Sequence, residues 1–416
     1  MKVLVVIQYF WPENFRINDL VVQLQRRGHE VTVLTGKPNY PEGHFYPEFL
    51  ANTHRFDNYN GADVVRVPIL PRGRGPLRLM LNYASFAISG SIIGLWRLRG
   101  RSFDVIFTCQ LSPVTVGIPA LVTRAVKKIP MALWVLDLWP ETLSAVGVLK
   151  KKFLLRRVGN LVEYIYKRCD VILVQARSFI PAISHRLGGD WPIRYMPSWA
   201  EALPKISTVE PASEMPTTAG SFNILFTGNI GDAQNFPAIL RTANDLRRHS
   251  KIKWWFVGAG RLRQWVCEEI KRYGLEDRVF MPGRFPIERM PSFFAKADAL
   301  LISLKPEPVF DMTIPGKLQT YLSVGKPILA MLNGEGATLI RRAGCGIVCA
   351  AGDHKALSAA ILEMYSMTAP EREKMGARAI EFSNKEFNRD RIIDQLENIL
   401  KTLKFKQQLV PSQERG

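Results

Sequence analysis

Cysteine is scarce in this chain of 416 residues: five, at positions 109, 169, 267, 345 and 349. Most lie inside apolar runs, and the only close pair, Cys345 and Cys349 in "GCGIVCA", has no second pair or histidine nearby. This excludes a disulfide-stapled scaffold and a Cys/His zinc module, and it fits reduced structural thiols in a cytoplasmic protein. No GxxxxGK[ST] is present, which removes the P-loop NTPases. No Asp-x-Asp and no His/Cys/acid cluster at ligand spacing is present either, so no dedicated metal site is expected. The opening "MKVLVVIQYF" carries one lysine and a short apolar run, and it reads as the start of the fold rather than a targeting segment. Acid is also short: 37 Asp and Glu stand against 56 Lys and Arg, a net charge of +19. In residues 1–200 the counts are 13 against 26. Such a field favours an anionic partner. Nucleic acid would require stacking aromatics interleaved with basic residues, or a recognisable reading helix, and neither is found. A phosphorylated substrate or an anionic membrane surface remains.

What is present is a repeating pattern. The length suits two domains of about 200 residues, and 47% hydrophobic with 22% charged residues is a globular composition. "VLVVIQYF" reads as a buried parallel strand, "DLVVQLQRRGHE" as an amphipathic helix and "EVTVLTG" as the next strand. The alternation continues through "DVVRVPIL", "DVIFTCQ", "MALWVLDLW" and "DVILVQA". Near-continuous apolar strands alternating with helices predict an α/β fold with a doubly wound parallel sheet. Residues 201–221 are rich in Pro, Ser, Thr and Ala without a period, and read as a linker. From 222 to 388 the pattern restarts as a second such domain. A last helix is expected over 389–404, followed by a polar, disordered tail at 405–416.

Residues 79–96, "LMLNYASFAISGSIIGLW", carry no charge and are flanked by Arg72, Arg74, Arg78, Arg97, Arg99 and Arg101. Three readings stay open: a helix packed in the first domain, one that also leans an apolar side into an anionic membrane surface, or a span. Asn82, Ser85 and Ser89 share one helical face, which disfavours immersion in lipid.

Two strand-glycine-helix junctions mark the second half. "FTGNIGDAQNF" offers Gly228 and Asn229; "FVGAGRLRQWV" offers Gly258 and Gly260, with Arg263 where a third glycine would complete GxGxxG. Tight turns and a phosphate-binding helix N-terminus both fit, and ligands of open α/β sheets lie beyond the strands' carboxyl ends. Lys317, Arg284 and Arg261 are candidates to neutralise a diphosphate leaving group. In the first half, "WPENFRIND" supplies Glu13, Asn14, Arg16 and Asn18, and "LDLWPETL" supplies Asp137, Trp139 and Glu141. A Trp beside acids suits a sugar, ring to C–H face and carboxylate to hydroxyl; a helix cap with a core Trp is the plainer alternative. "GKPNYPEGHFYPEF" reads as a flap over a ligand, and its His44 could titrate or stand apart.

As an ordered set over about residues 1–400, these motifs resemble the family-4, retaining GT-B glycosyltransferases. The likeness is greatest to the bacterial O-antigen, capsule and colanic-acid enzymes, including the fucosaminyltransferase-like group. "QYFWPENFRIND", "RGHEVTVLTGKPNYPEG", "VGAGR", "RVFMPGRFP", "ADALLISL" and "IPGKLQTYLSVGKPILA" carry the resemblance together with the segments above. It implies two Rossmann-like domains facing a cleft and a last helix crossing back to the first domain. It also implies metal-independent transfer from a nucleotide sugar, UDP-linked and of the N-acetylated amino or deoxy-amino type, to a lipid-diphosphate-linked acceptor at the inner face of the cytoplasmic membrane. No cofactor is implied. Carried over by position, Gly228, Asn229, Gly258, Gly260, Arg261, Arg284, Phe285, Asp311, Lys317 and Thr320 bind the donor. Asn14, Arg16, Asn18, His44, Trp139 and Glu141 bind the acceptor, and Asp137, Lys317 and Glu13 act in catalysis. Where many relatives have Glu-x7-Glu, this chain has Met312 and Thr320, and Asp311 or Glu307 is near enough in sequence to take over. A nucleotide-sugar epimerase and a catalytically silent scaffold are the alternative functions.

Overall fold

The alternating pattern closes into two parallel sheets, each in its own compact unit. The computed structural model describes all residues except Arg74, Thr217 and 410–416. One unit comprises Met1–Pro197 with the chain from Asp390 on, and the other Ser198–Arg389. The first sheet contains β1 (Lys2–Val6), β2 (Glu30–Gly36), β3 (Asn58–Tyr59), β4 (Ala62–Val67), β5 (Val105–Gln110), β6 (Met131–Val135), β7 (Val171–Val174) and β8 (Ile193–Tyr195). Their order is β3-β4-β2-β1-β5-β6-β7-β8, antiparallel only at β3. The second contains β9 (Phe222–Thr227), β10 (Ile252–Val257), β11 (Val279–Gly283), β12 (Ala299–Ser303), β13 (Ile328–Met331) and β14 (Gly346–Cys349). Their order is β11-β10-β9-β12-β13-β14.

Helices on both faces explain the strand composition. Val3, Leu4, Val5 and Val6 are all fully buried, as are Ile224, Leu225 and Phe226 on β9. Val3 pairs with Val31 and Val105, and Ile224 with Trp254 and Ala299, while the β10–β11 register shifts between Trp255 and Val257. Chain direction around the sheet reverses between β1 and β5 in one unit and between β9 and β12 in the other. At such switch points the flanking loops part and leave a crevice at the strands' carboxyl ends.

Two stretches differ in detail from expectation. Within the linker stretch 201–221, residues 212–215 are held against the second unit: Ala212 and Met215 are buried, the Ala212 N–H donates to Ser292 O (3.0 Å), and Arg289 pairs with Glu214 (2.9 Å). Two well-spaced apolar side chains suffice for this, and no periodic pattern announces them. The last helix is Arg389–Leu409, so 405–409 are helical rather than tail, and 410–416 lie outside the described residues. Buried Ile392, Ile393, Leu396 and Leu400 run along it, while Arg27–Asp394 (2.7 Å) and Lys404–Asp104 (3.1 Å) set its register on the first unit. Burial contributes about 1.5–3 kcal/mol per aliphatic side chain, against at most about 1 for an exposed ion pair.

The uncharged segment forms the helix Pro76–Ser89, a π turn at Gly90–Gly94 and a short helix Leu95–Arg97. The glycines fit this packing: a Cβ on Gly94 would come within 2.9 Å of Leu34, and one on Gly90 within 3.0 Å of Pro119. Pro76–Arg97 is the one helix, among the described residues, long and apolar enough to cross a membrane by length and composition, with 39% of its apolar window buried. Its polar side faces inward: Asn82 accepts from Gln8 Nε2 (2.7 Å) and Tyr9 Oη (2.9 Å), and its own amide donates to Leu70 O (2.6 Å).

Candidate functional site

Chemistry-bearing residues gather at the carboxyl edge of each sheet. In the second unit the centre is the loop after β9. Gly228 adopts φ +114° and Gly258 φ +153°, both closed to other residues without strain. A Cβ on Gly258 would lie 1.9 Å from Gly228 O, and one on Gly260 2.3 Å from Ile230 O. The two loops zip together: the Gly228 N–H donates to Val257 O (2.9 Å) and the Ile230 N–H to Ala259 O (2.8 Å). Gly258 and Gly260 are thus required by loop-on-loop packing.

Beside this loop stands the helix Gly316–Val324, begun by Pro315. Tyr321 Oη ties it to the end of β9, accepting the Thr227 N–H at 2.9 Å and lying 3.1 Å from Thr227 Oγ1. That bond aims Lys317 beneath the glycine loop. Lys317 Nζ is buried, has no hydrogen-bond partner, sits 3.5 Å from the centre of the Phe226 ring, and lies 3.8 Å from where a Cβ of Gly228 would be. Burial pulls its ammonium down to about 7. A desolvated cation at a helix N-terminus, next to a loop with positive-φ glycine, has the chemistry to receive an anion.

The other donor candidates fare unequally. Thr320, one turn beyond Lys317, donates its hydroxyl to the carboxylate of Glu201, a residue with no recognisable sequence signal. Asp311 ends the short helix Pro308–Asp311; its backbone packs on Gly334, and burial raises its carboxyl while Asn333 pulls the other way. Arg261 is exposed and paired with Asp232. Asn229 is exposed. Arg284 and Phe285 follow the edge strand β11, two strands away from β9, with Phe285 against Phe293 (4.8 Å).

In the first unit, Glu13 is 1% exposed and its carboxylate is engaged by three backbone N–H groups: Phe10 (3.0 Å), Asn39 (2.7 Å) and Tyr40 (2.7 Å). It fastens the loop after β1 to the loop after β2. Burial raises its carboxyl to about 7, with the three N–H groups and the charge of Arg66 pulling the other way. Asn18 is buried and donates to Glu13 O (2.7 Å), so it serves the same turn. Asn14 and His44 are exposed, His44 with Nδ1 3.3 Å from Phe45 O. Arg16 opens the helix Arg16–Arg26. Trp139 is buried against Tyr83 (5.9 Å) and Glu141 pairs with Arg186.

Asp137 is different. It follows β6, its carbonyl accepts from Gln110 Nε2 (2.9 Å), and no described residue bonds its carboxyl. Burial raises that carboxyl to about 7, and its charge in turn reaches Tyr83. Arg66, which sequence reasoning passed over, is 5% exposed and donates to the carbonyls of Gly36 (3.0 Å) and Trp11. A lone arginine in the apolar run "DVVRVPIL" was its signal. Among the described residues, no three His, Cys, Asp or Glu gather where a metal ion could be held.

Two family models match the chain: a glycosyl transferase 4-like domain over residues 14–199 and glycosyl transferases group 1 over 221–367. The probable glycosyltransferase WbjE of Pseudomonas aeruginosa is 29% identical over 261 residues, 59% of this chain and 64% of the relative. The match thus spans just under two thirds of that relative's length. The putative colanic acid biosynthesis glycosyl transferase WcaI of Escherichia coli K12 is 24% identical, covering 78% of this chain and 82% of the relative. Among solved structures, a sucrose-phosphate synthase from Thermosynechococcus elongatus aligns with TM-score 0.70 at 14% identity, over 97% of this chain and 98% of that one. Anabaena HepE in complex with UDP and glucose aligns with TM-score 0.67 at 13% identity, over 97% and 100%. At these identities the solved structures establish the shared GT-B fold.

Proposed function

Since the chain belongs to the glycosyltransferase family those two models describe, we propose that it transfers a sugar from a nucleotide diphosphate donor to a lipid-linked glycan in surface polysaccharide synthesis. The observation that carries this reading is Lys317: a buried, unpartnered ammonium at a helix N-terminus beside the Gly228 loop. Catalysis of glycosyl transfer needs charge stabilised on the departing diphosphate more than it needs covalent chemistry from the protein. Lys317 and the helix dipole supply that, and phosphate binding restores the proton that burial makes labile. The donor is UDP-linked, in keeping with the UDP held by HepE. The diphosphate leaves the anomeric carbon and the acceptor hydroxyl attacks the same face of the sugar, so its configuration is retained, with the hydroxyl's proton passing to a phosphate oxygen. Asp137, whose half-buried carboxyl no described residue bonds, orients the reacting sugar or the acceptor.

The acceptor reading rests on the helix Pro76–Arg97. Its inner side is anchored through Asn82, while Leu77, Ile88, Ile92 and Trp96 are more than half exposed. Arg78, Arg97 and Arg99 lie on or beside it, with Arg99 over the Trp96 ring at 4.2 Å. An apolar stripe edged by cations suits the cytoplasmic surface of an anionic bilayer, lying in it rather than across it. The test incubates the purified protein with a panel of nucleotide sugars and lipid-linked acceptors and follows nucleoside diphosphate release. Acceptor-dependent release is expected; conversion of the sugar without release indicates an epimerase, and silence with every pair a scaffold. Sedimentation with anionic liposomes should fall with salt and with Ile88→Glu/Ile92→Glu; indifference to both refutes the membrane reading.

A further inference from the structure

A half-buried arginine beyond β4 stands without a counter-ion. Arg72 lies over the Tyr40 ring at 5.1 Å, and no carboxylate pairs with it among the described residues. The segment that carries it is pinned from two sides. On the loop after β2, Asn39 Oδ1 accepts the Arg72 N–H (2.9 Å) and Gly43 O accepts the Gly73 N–H (2.8 Å). On the helix Pro76–Ser89, Asn82 Nδ2 donates to Leu70 O (2.6 Å) and Ser85 Oγ accepts the Leu70 N–H (2.9 Å). On the acceptor reading above, we infer that Arg72 binds the phosphate of the acceptor, the group that joins its lipid to its sugar.

The arrangement of the first unit supports this. Tyr83, on the same helix, is reached by the charges of both Arg72 and Asp137, and its ring lies 5.9 Å from that of Trp139 in the Asp137 loop. Arg72 and Asp137 therefore serve one pocket at the carboxyl edge of the sheet. On the other side of Arg72, the exposed Leu77 begins the apolar stripe five residues on. Apolar stripe, guanidinium and carboxyl thus run in the order of a lipid-linked acceptor: chain, phosphate, sugar. A guanidinium presents its N–H donors in a rigid fork that matches phosphate oxygens. The Tyr40 face holds that fork, and the pinned backbone leaves little freedom to lose on binding.

The test is calorimetric binding of geranyl diphosphate, geraniol and inorganic diphosphate, each with saturating UDP on the donor side. Wild-type protein should bind geranyl diphosphate about tenfold to a hundredfold more tightly than geraniol, the range of hydrogen bonds to a charged group. Arg72→Met should collapse that ratio while geraniol affinity, UDP affinity and thermal stability hold. Arg72→Lys, which keeps the charge and loses the fork, should recover part of it. A wild-type ratio near one, an unchanged ratio in Arg72→Met, or equal weakening of both geranyl ligands overturns the inference and leaves glycosyl transfer standing. Arg72-dependent binding of inorganic diphosphate as tight as that of geranyl diphosphate upholds the phosphate site and assigns it to a soluble phosphorylated acceptor. Failure of every lipid-linked or phosphorylated acceptor to draw nucleoside diphosphate release overturns the acceptor reading, and the inference with it.

Discussion

Replacing Glu13 by alanine separates a structural carboxylate from a catalytic one. Its side chain accepts three backbone N–H bonds of 2.7–3.0 Å at a site 1% exposed to solvent. Each buried donor left without a partner costs about 1–3 kcal/mol. Glu13→Ala should therefore remove about 3 kcal/mol or more from the unfolding free energy of the first unit. Glu13→Gln keeps an oxygen for Asn39 and Tyr40 but turns an NH2 toward the Phe10 N–H, so about 1–2 kcal/mol is expected. The pH dependence adds a second signature. Burial raises the native carboxyl to about 7, whereas the unfolded chain titrates near 4.3. Between those values the native state holds a proton that the unfolded state has lost. Stability from this group is thus full below the unfolded value and declines as pH rises through the folded one, by at most about 3–4 kcal/mol. In Glu13→Gln that slope should vanish. Urea unfolding followed by tryptophan fluorescence and far-UV circular dichroism, at about pH 5 and about pH 8, reads both effects, with the units' transitions resolved separately. A Glu13→Ala protein as stable as wild type that has lost about a hundredfold in turnover would refute the reasoning and return Glu13 to the reacting atoms.

Gly258→Ala should abolish soluble expression of the second unit, because the new Cβ meets Gly228 O at 1.9 Å, whereas Gly316→Ala, with nothing within 4 Å, should express normally; equal behaviour would refute the loop-zipping account. Lys317→Met should match or exceed wild-type thermal stability at neutral pH, since a buried lone cation is removed, while losing about tenfold or more in UDP affinity. Because burial holds Lys317 near 7, UDP binding at about pH 8 should take up a proton; enthalpies in buffers of different ionisation heat will show it, and no buffer dependence counts against Lys317 as the phosphate cation. Asp137, whose carboxyl is raised to about 7, should give turnover a pH limb in that region that is absent from Asp137→Asn, measured as initial rates across pH.

Local pattern carried the architecture. Runs such as "VLVVIQYF" and "FNILFT" can be satisfied only between two covering layers, so parallel sheets followed from composition and order before any contact was known. Lys317 was also legible, because a Pro-Gly-Lys turn before a helix sets a cation at an N-terminus whatever the surroundings. The glycines were legible as close approaches, but not which backbone they approached: Gly258 meets Gly228 across neighbouring parallel strands. Glu13 and Asp137 look alike in sequence, each an acid after an apolar strand. Three N–H groups from two separate loops saturate one and none reaches the other, a difference no local window contains.

Sequence alone determined two doubly wound units, a basic first half, an apolar helix flanked by arginines and a phosphate-ready turn, because each depends on residues within one turn or strand of one another. Tertiary structure decided which carboxylates are engaged, that Ala212 and Met215 within 201–221 are buried, and that Thr320 holds an acid from 119 residues away. Periodicity encodes which face a side chain takes, and only the folded chain determines what it meets there.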